Sequence, residues 1–151
     1  MKRVVAVLVL LVLVVFCGLA AAQTPGVPQT VYVPVYSQVV YGNKGHMLNL
    51  ATMLSIRNTD RRAPITVTEV RYVNDKGQTV RSFLKAPLLL APLASAQYVV
   101  EESDTSGGSG PSFVVVWNGV VNVSQPVVQG IMIGTAGSQG ISFITEGVTL
   151  R

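Results

Sequence analysis

Read by the alternation of apolar and polar side chains, the chain divides into one unbroken apolar segment near its start and a long series of short two-sided runs after it. The clearest run is Met47 to Asn58. Leu48, Leu50, Leu54 and Ile56 share one parity, and Asn49, Ser55 and Arg57 the other, the period of a strand with one face in a core. Thr30 to Val40 reads as an earlier strand, with Val31, Val33 and Val35 on one face and Tyr32 and Tyr36 on the other. Pro34 has no N–H to give to a ladder, so it predicts an edge position or a bulge. From Ile65 to Asn74 the apolar parity changes between Ile65/Val67 and Val70/Tyr72, which predicts a bulge near Thr68-Glu69 or burial on both faces.

Turn chemistry separates the runs. Asn58-Thr59-Asp60 carries side chains that bond their own backbone, and Asp75-Lys76-Gly77 supplies the glycine that a tight hairpin needs. Gln78 to Leu84 should therefore pair back antiparallel onto Ile65 to Asn74. Ala86 to Ala94, leucine-rich but interrupted by Pro87 and Pro92, reads as an apolar crossover over one end of the core. Gln97 to Glu101 is a short strand, and Ser103 to Ser112, with Ser106-Gly107-Gly108-Ser109-Gly110, a mobile loop. Phe113 to Trp117 is apolar on both faces, as a central strand is. Val127 to Ile133, Ile141 to Thr145 and Val148 to Leu150 complete the series. The fold class that follows is all-β: an antiparallel, immunoglobulin-like β-sandwich of about seven or eight strands.

The opening segment gives an address. Met1-Lys2-Arg3 is basic, Val4 to Phe16 is continuously apolar, and Ala20-Ala21-Ala22 offers small residues before Gln23, the layout of a secretory signal peptide. The domain reading is a signal-peptide helix over 1–22, a flexible lead over 23–29 and a single β-sandwich domain over 30–151, periplasmic or secreted. The alternative is an uncleaved tether, since residues 4–22 approach the roughly 20 apolar residues that span a bilayer. Gly18 and the alanine cluster favour cleavage. Acylation at Cys17 is disfavoured by the bulky Phe16 before it.

Charge adds little after that segment. The whole chain has 11 basic and 7 acidic residues, and loss of Lys2 and Arg3 leaves nine against seven, a net charge of +2. Arg61-Arg62 is the one adjacent basic pair of residues 23–151, without the interleaved aromatics of a nucleic-acid surface, so no nucleic-acid partner is expected. Cys17 is the one cysteine, which leaves a domain from Gln23 onward to hold itself together by burial.

Few residues offer reactive chemistry. His46, the one histidine, stands beside Gly45 at a turn, and no serine sits in a Gly-x-Ser-x-Gly elbow. Glu101, Glu102 and Asp104 gather carboxylates next to a glycine-rich loop, but their spacing is not that of an EF-hand, and a solvated loop is the plainer reading. No cofactor, metal site or catalytic residue is assigned. The candidate binding residues are aromatic: Tyr32, Tyr36 and Tyr41 in or beside the first strand, and Trp117, each of which has a packing role as its plainer explanation. Asn122-Val123-Ser124 fits an N-glycosylation sequon, a triplet that matters in a eukaryotic secretory pathway.

Several separated runs occur in order: Val31-Tyr32-Val33-Pro34-Val35-Tyr36-Ser37, Leu54-Ser55-Ile56-Arg57-Asn58-Thr59-Asp60, Val70-Arg71-Tyr72 with Gly77, then Trp117 and Gly140-Ile141-Ser142-Phe143. Together they resemble the exported bacterial proteins grouped as domain-of-unknown-function family 3124. The resemblance implies a bacterial, periplasmic protein and brings no catalytic residues.

The functional expectation is an exported, non-catalytic module that binds a protein or glycan of the cell envelope, with no membrane contact after cleavage and an open oligomeric state. The alternative is a small hydrolase or metal-dependent enzyme using His46 with Glu101, Glu102 or Asp104. Intact mass spectrometry of the exported product checks the address: the mass expected is that of a chain starting at Gln23, and a product retaining Val4 to Ala22 contradicts cleavage.

Overall fold

The structure, a computed structural model, describes residues 24–136 and 139–151, so the expected signal peptide over 1–22 lies outside the described residues. The described chain forms twelve strands: β1 (Gln29–Pro34), β2 (Gln38–Tyr41), β3 (His46–Asn49), β4 (Ala51–Arg57), β5 (Ile65–Val73), β6 (Thr79–Ser82), β7 (Leu88–Leu90), β8 (Ser95–Val100), β9 (Ser112–Gly119), β10 (Val127–Ala136), β11 (Gln139–Glu146) and β12 (Val148–Leu150). One sheet runs β12-β1-β9-β5-β6, with β7 also paired to β5. The second runs β11-β10-β4-β8, and β2 and β3 form a hairpin. Every pairing is antiparallel. The fold is the expected all-β sandwich.

Strand number exceeds the expected seven or eight because the long periodic runs are broken. Thr30 to Val40 becomes β1 and β2, parted where the Val35 N–H leaves the ladder to donate to the Pro111 carbonyl. Met47 to Asn58 becomes β3 and β4, parted at Leu50, whose N–H donates to the Ser37 carbonyl. The leucine run expected as a crossover contributes β7. This strand continues the line of β6 along the same edge of β5: Ser82 stands opposite Arg71 and Leu88 opposite Val67.

The parity change in β5 has the expected cause. Its register with β9 shifts between Val67 and Glu69, and this bulge puts Ile65, Val67, Val70 and Tyr72 all on the buried side. Pro34 departs from expectation. β1 is flanked by β9 and β12 and is not an edge strand. Pairing with β12 stops at Tyr32, and Pro34 ends β1, so a missing N–H there breaks no ladder. The Pro34 carbonyl instead accepts the Thr145 hydroxyl at 2.6 Å.

The two sheets bury Val31, Val33, Phe113, Val115, Ile65 and Val67 from one side with Leu54, Ile56, Val128 and Met132 from the other. Gly147 lets the chain pass from the second sheet to the first between β11 and β12. Its N–H donates to the Val128 carbonyl, and a Cβ there would come within 2.6 Å of Val31 Cγ1. The stretch ahead of β1 is hydrogen-bonded too, with Gly26 N–H donating to the Gly119 carbonyl and Val121 N–H to that of Thr24.

At the end of the sandwich where β4 stops, Asn58 and Asp60 fasten three loops. The buried Asn58 amide donates to the carbonyls of Ala63, Leu90 and Ala91 at 3.0–3.2 Å, while its Oδ1 accepts the Asp60 N–H. Asp60 Oδ1 accepts the N–H groups of Arg62 and Ala63, and Oδ2 that of Ser124, 64 residues on. The backbone N–H of Ala63, then those of Ser124 and Arg62, hold the Asp60 carboxyl well below the usual carboxylate range. A carboxyl depressed in the folded state contributes stability that is complete above about pH 4 and is lost as pH falls below it. Replacing Asp60 by Asn should flatten that part of the acid-side decline in urea midpoints measured from about pH 4 to pH 2. An unchanged slope contradicts the role given to Asp60.

Candidate functional site

Strand geometry decides which aromatic side chains reach solvent. β1 turns its odd-numbered valines inward, so Tyr32 stands on the outer face between Val114 of β9 and Val148 of β12, 38% exposed. Tyr36 follows β1 and is 44% exposed, with its ring centroid 6.0 Å from that of Phe143 on β11. The Tyr36 carbonyl accepts the buried Thr52 hydroxyl, which ties this segment to β4. Tyr41, 47% exposed at the end of β2, lies against the His46 ring at 5.7 Å across the hairpin.

Trp117 does not join them. It is 3% exposed on the core side of β9. It stands opposite Gln29 at the start of β1, whereas Tyr36 lies beyond that strand's other end. Six residues of strand separate the two places by roughly 20 Å. The four residues thus divide into an outward tyrosine group along β1 and its extension and a buried indole at the far end.

A further surface emerges from register. On the outer face of the second sheet Ile131 is directly opposite both Ile144 and Met53, and Met53 is opposite Val99, so one apolar row crosses all four strands. Its ends are open: Ile144 is 59% and Val99 54% exposed, and Ile133 beside the row is exposed as well. β11 is the edge strand on this side, so Ile144 of the row and the Tyr36–Phe143 pair flank the same free edge. Sequence reasoning missed this row. Val127 to Ile133 is apolar on both parities, and nothing local says that Ile131 aligns with Met53, 78 positions earlier. The alternation of Val128, Gly130 and Met132 against Ile131 and Ile133 was the signal available.

Electrostatics around the remaining candidates is local. Asp104 accepts the Arg81 guanidinium and both the N–H and hydroxyl of Ser106. These bonds, the Ser106 hydroxyl foremost, hold its carboxyl below the usual range. The Asp75 N–H donates to the Gly107 carbonyl, which ties the glycine-rich loop to the turn between β5 and β6. Glu101 and Glu102 are exposed. Among the described residues no group of three or more His, Cys, Asp or Glu side chains is arranged to hold a metal ion. Inside the core, burial raises the Tyr72 hydroxyl pKa, against the opposing effect of its 3.0 Å hydrogen bond with Ser37.

Trp117, the single tryptophan, reports on its own position. Its emission should be blue-shifted and weakly quenched by acrylamide in the native protein, moving to the value of free indole in denaturant. Native emission already at the exposed value contradicts the burial described.

Comparison with known proteins adds the following. No curated protein matches the chain. A solved structure similar to it is the crystal structure of Thermotoga maritima 1070, at 11% identity and a TM-score of 0.44, covering 80% of this chain and 92% of that one. At that distance the likeness says nothing of function. The model of the family described as "Protein of unknown function (DUF3124)" matches residues 28–150, and the protein belongs to that family.

Proposed function

We propose that the protein is an exported, non-catalytic β-sandwich module that holds a protein or glycan of the cell envelope along the free edge of β11. The observation that carries this reading is the placing of an exposed apolar or aromatic group on each flank of one edge strand, each against a half-buried neighbour: Tyr36 on Phe143 on one, Ile144 beside Ile131 on the other. Exposed apolar groups that adjoin one another mark contact surfaces, and an edge strand offers unpaired backbone groups for an extended partner. Tyr32, on the outer face of the first sheet, and Tyr41, in the β2–β3 hairpin, lie outside this edge. Export rests on the basic, apolar and small-residue pattern of Met1 to Ala22.

The hydrolase reading requires His46 beside a carboxylate. The aromatic neighbour of His46 is Tyr41, and Asp104 is engaged by Arg81 and Ser106. The binding reading therefore has the stronger support.

Crosslinking in the native envelope, followed by recovery of the tagged protein, tests it. Tyr36→Asp and Ile144→Asp should each lower partner recovery about tenfold or more, as loss of an interface anchor does, with the thermal midpoint little changed. Folded variants that retain every partner rule the surface out.

A further inference from the structure

The free edge of β11 differs from the other edges of the two sheets. β11 pairs with β10 over eight consecutive positions without a register shift, and it carries no Lys, Arg or Pro. The other edges have the features by which sheets avoid pairing with a further strand. β6 carries Arg81, held by Asp104, and its pairing with β5 is irregular at Tyr72/Val73. β7 is three residues long between Pro87 and Pro92, β8 runs into Glu101-Glu102, and β12 is three residues long and followed by Arg151.

What such an edge pairs with follows from its outward side chains, the even positions of the strand. Ser142, Ile144 and Glu146 are exposed on the outer face of the second sheet, opposite Ile133, Ile131 and Gln129 of β10. A second copy that meets this edge about a two-fold axis normal to the sheet presents the same face, so the antiparallel pairing is centred on one residue. Centred on Phe143, the pairing sets Ile144 against Ser142; centred on Ser142, against Gly140; centred on Thr145, against Glu146. Centred on Ile144, it sets that side chain against its own counterpart and Ser142 against Glu146 on either side. An apolar pair then lies between two pairs in which the Ser142 hydroxyl donates to the Glu146 carboxylate. Glu146 Oε1 already accepts the Gln129 amide at 2.7 Å, and a carboxylate has lone pairs for both. The apolar row of Val99, Met53, Ile131 and Ile144 continues through both copies, and two four-stranded sheets become one.

We propose that the β11 edge binds a second copy of this chain, antiparallel and centred on Ile144. This pairing rests on the binding role given to that edge above and names its partner.

Light scattering of the exported protein as it leaves a sizing column should give twice the mass of one chain. Ile144→Asp, which sets two carboxylates opposite each other, should give the mass of one chain. A thiol reads the register. Residues 24–151 hold no cysteine, and Cys17→Ser removes the remaining one. Directly opposite residues have Cα atoms about 4.5–5.5 Å apart, within disulfide reach, so Ile144→Cys on that background should close to a covalent dimer on mild oxidation. Ser142→Cys, whose counterpart lies roughly 13 Å along the strand, should yield about a tenth as much or less. The thiol pair decides the matter even where Ile144→Asp fails to fold. A one-chain mass at every concentration, a dimer indifferent to Ile144→Asp, or equal crosslinking at the two positions overturns the proposal. A one-chain protein that still loses its envelope partner on Ile144→Asp removes the second copy and leaves the binding role of the edge standing.

Discussion

Val33, Leu54, Ile56, Ile65, Phe113 and Val115 are wholly removed from solvent, and residues 24–151 contain no cysteine that could share their task. The water-free layer between the two sheets is therefore the constraint from which the remaining structure follows. Each such side chain stabilises the fold by about 1.5–3 kcal/mol through burial, so the layer holds only where registers bring the right parity inward on both sheets. The β5 bulge is a device for this end: without the shift between Val67 and Glu69, either Ile65 and Val67 or Val70 and Tyr72 would face solvent. Gly147 serves the same layer by letting one chain line β12 of the first sheet and β11 of the second.

Once that layer is filled, what remains outside it is what can meet a partner. β1 must point its valines inward, so Tyr32 points outward, and Tyr36 beyond the strand leans on Phe143 at the β11 edge. β10 must point Val128 and Met132 inward, so Ile131 and Ile133 line the opposite face with Met53 and Ile144. The other end of the sandwich is tied by side-chain hydrogen bonds as well as by the packing of Ile65, Leu90 and Trp117. There the Asn58 and Asp60 side chains tie separate loops, while Gln29 and Trp117 each keep a buried polar atom unpaired. The molecule thus offers an apolar, aromatic surface at one edge.

Local patterns made much of this fold legible. The two-residue period of Leu48 to Ile56, the parity change in β5 and the glycine of the Asp75-Lys76-Gly77 turn, which adopts positive φ, each report a local requirement that only certain residues meet. What could not be read depends on pairing between distant positions. Pro34 suggested an edge because a proline shows its missing N–H but not where β12, more than a hundred residues later, stops pairing. The exposure of Tyr32 and Tyr36 followed from alternation, whereas the apolar row across β11, β10, β4 and β8 exists only through register. Trp117 reads as core from its strand. That its neighbour is Gln29, leaving two polar atoms unpaired, is again a matter of register.

Native-state hydrogen exchange resolved residue by residue tests the layer between the sheets most directly. If burial alone holds the domain, the amides of Val115 and Val116 in the middle of β9, paired on both sides, should exchange only through global unfolding and share one free energy with Leu54 of β4. Those of β12 should open far more readily. Central β9 amides that exchange as fast as those of β12, or β4 and β9 opening with separate free energies, would show that the two sheets are not joined by one cooperative core.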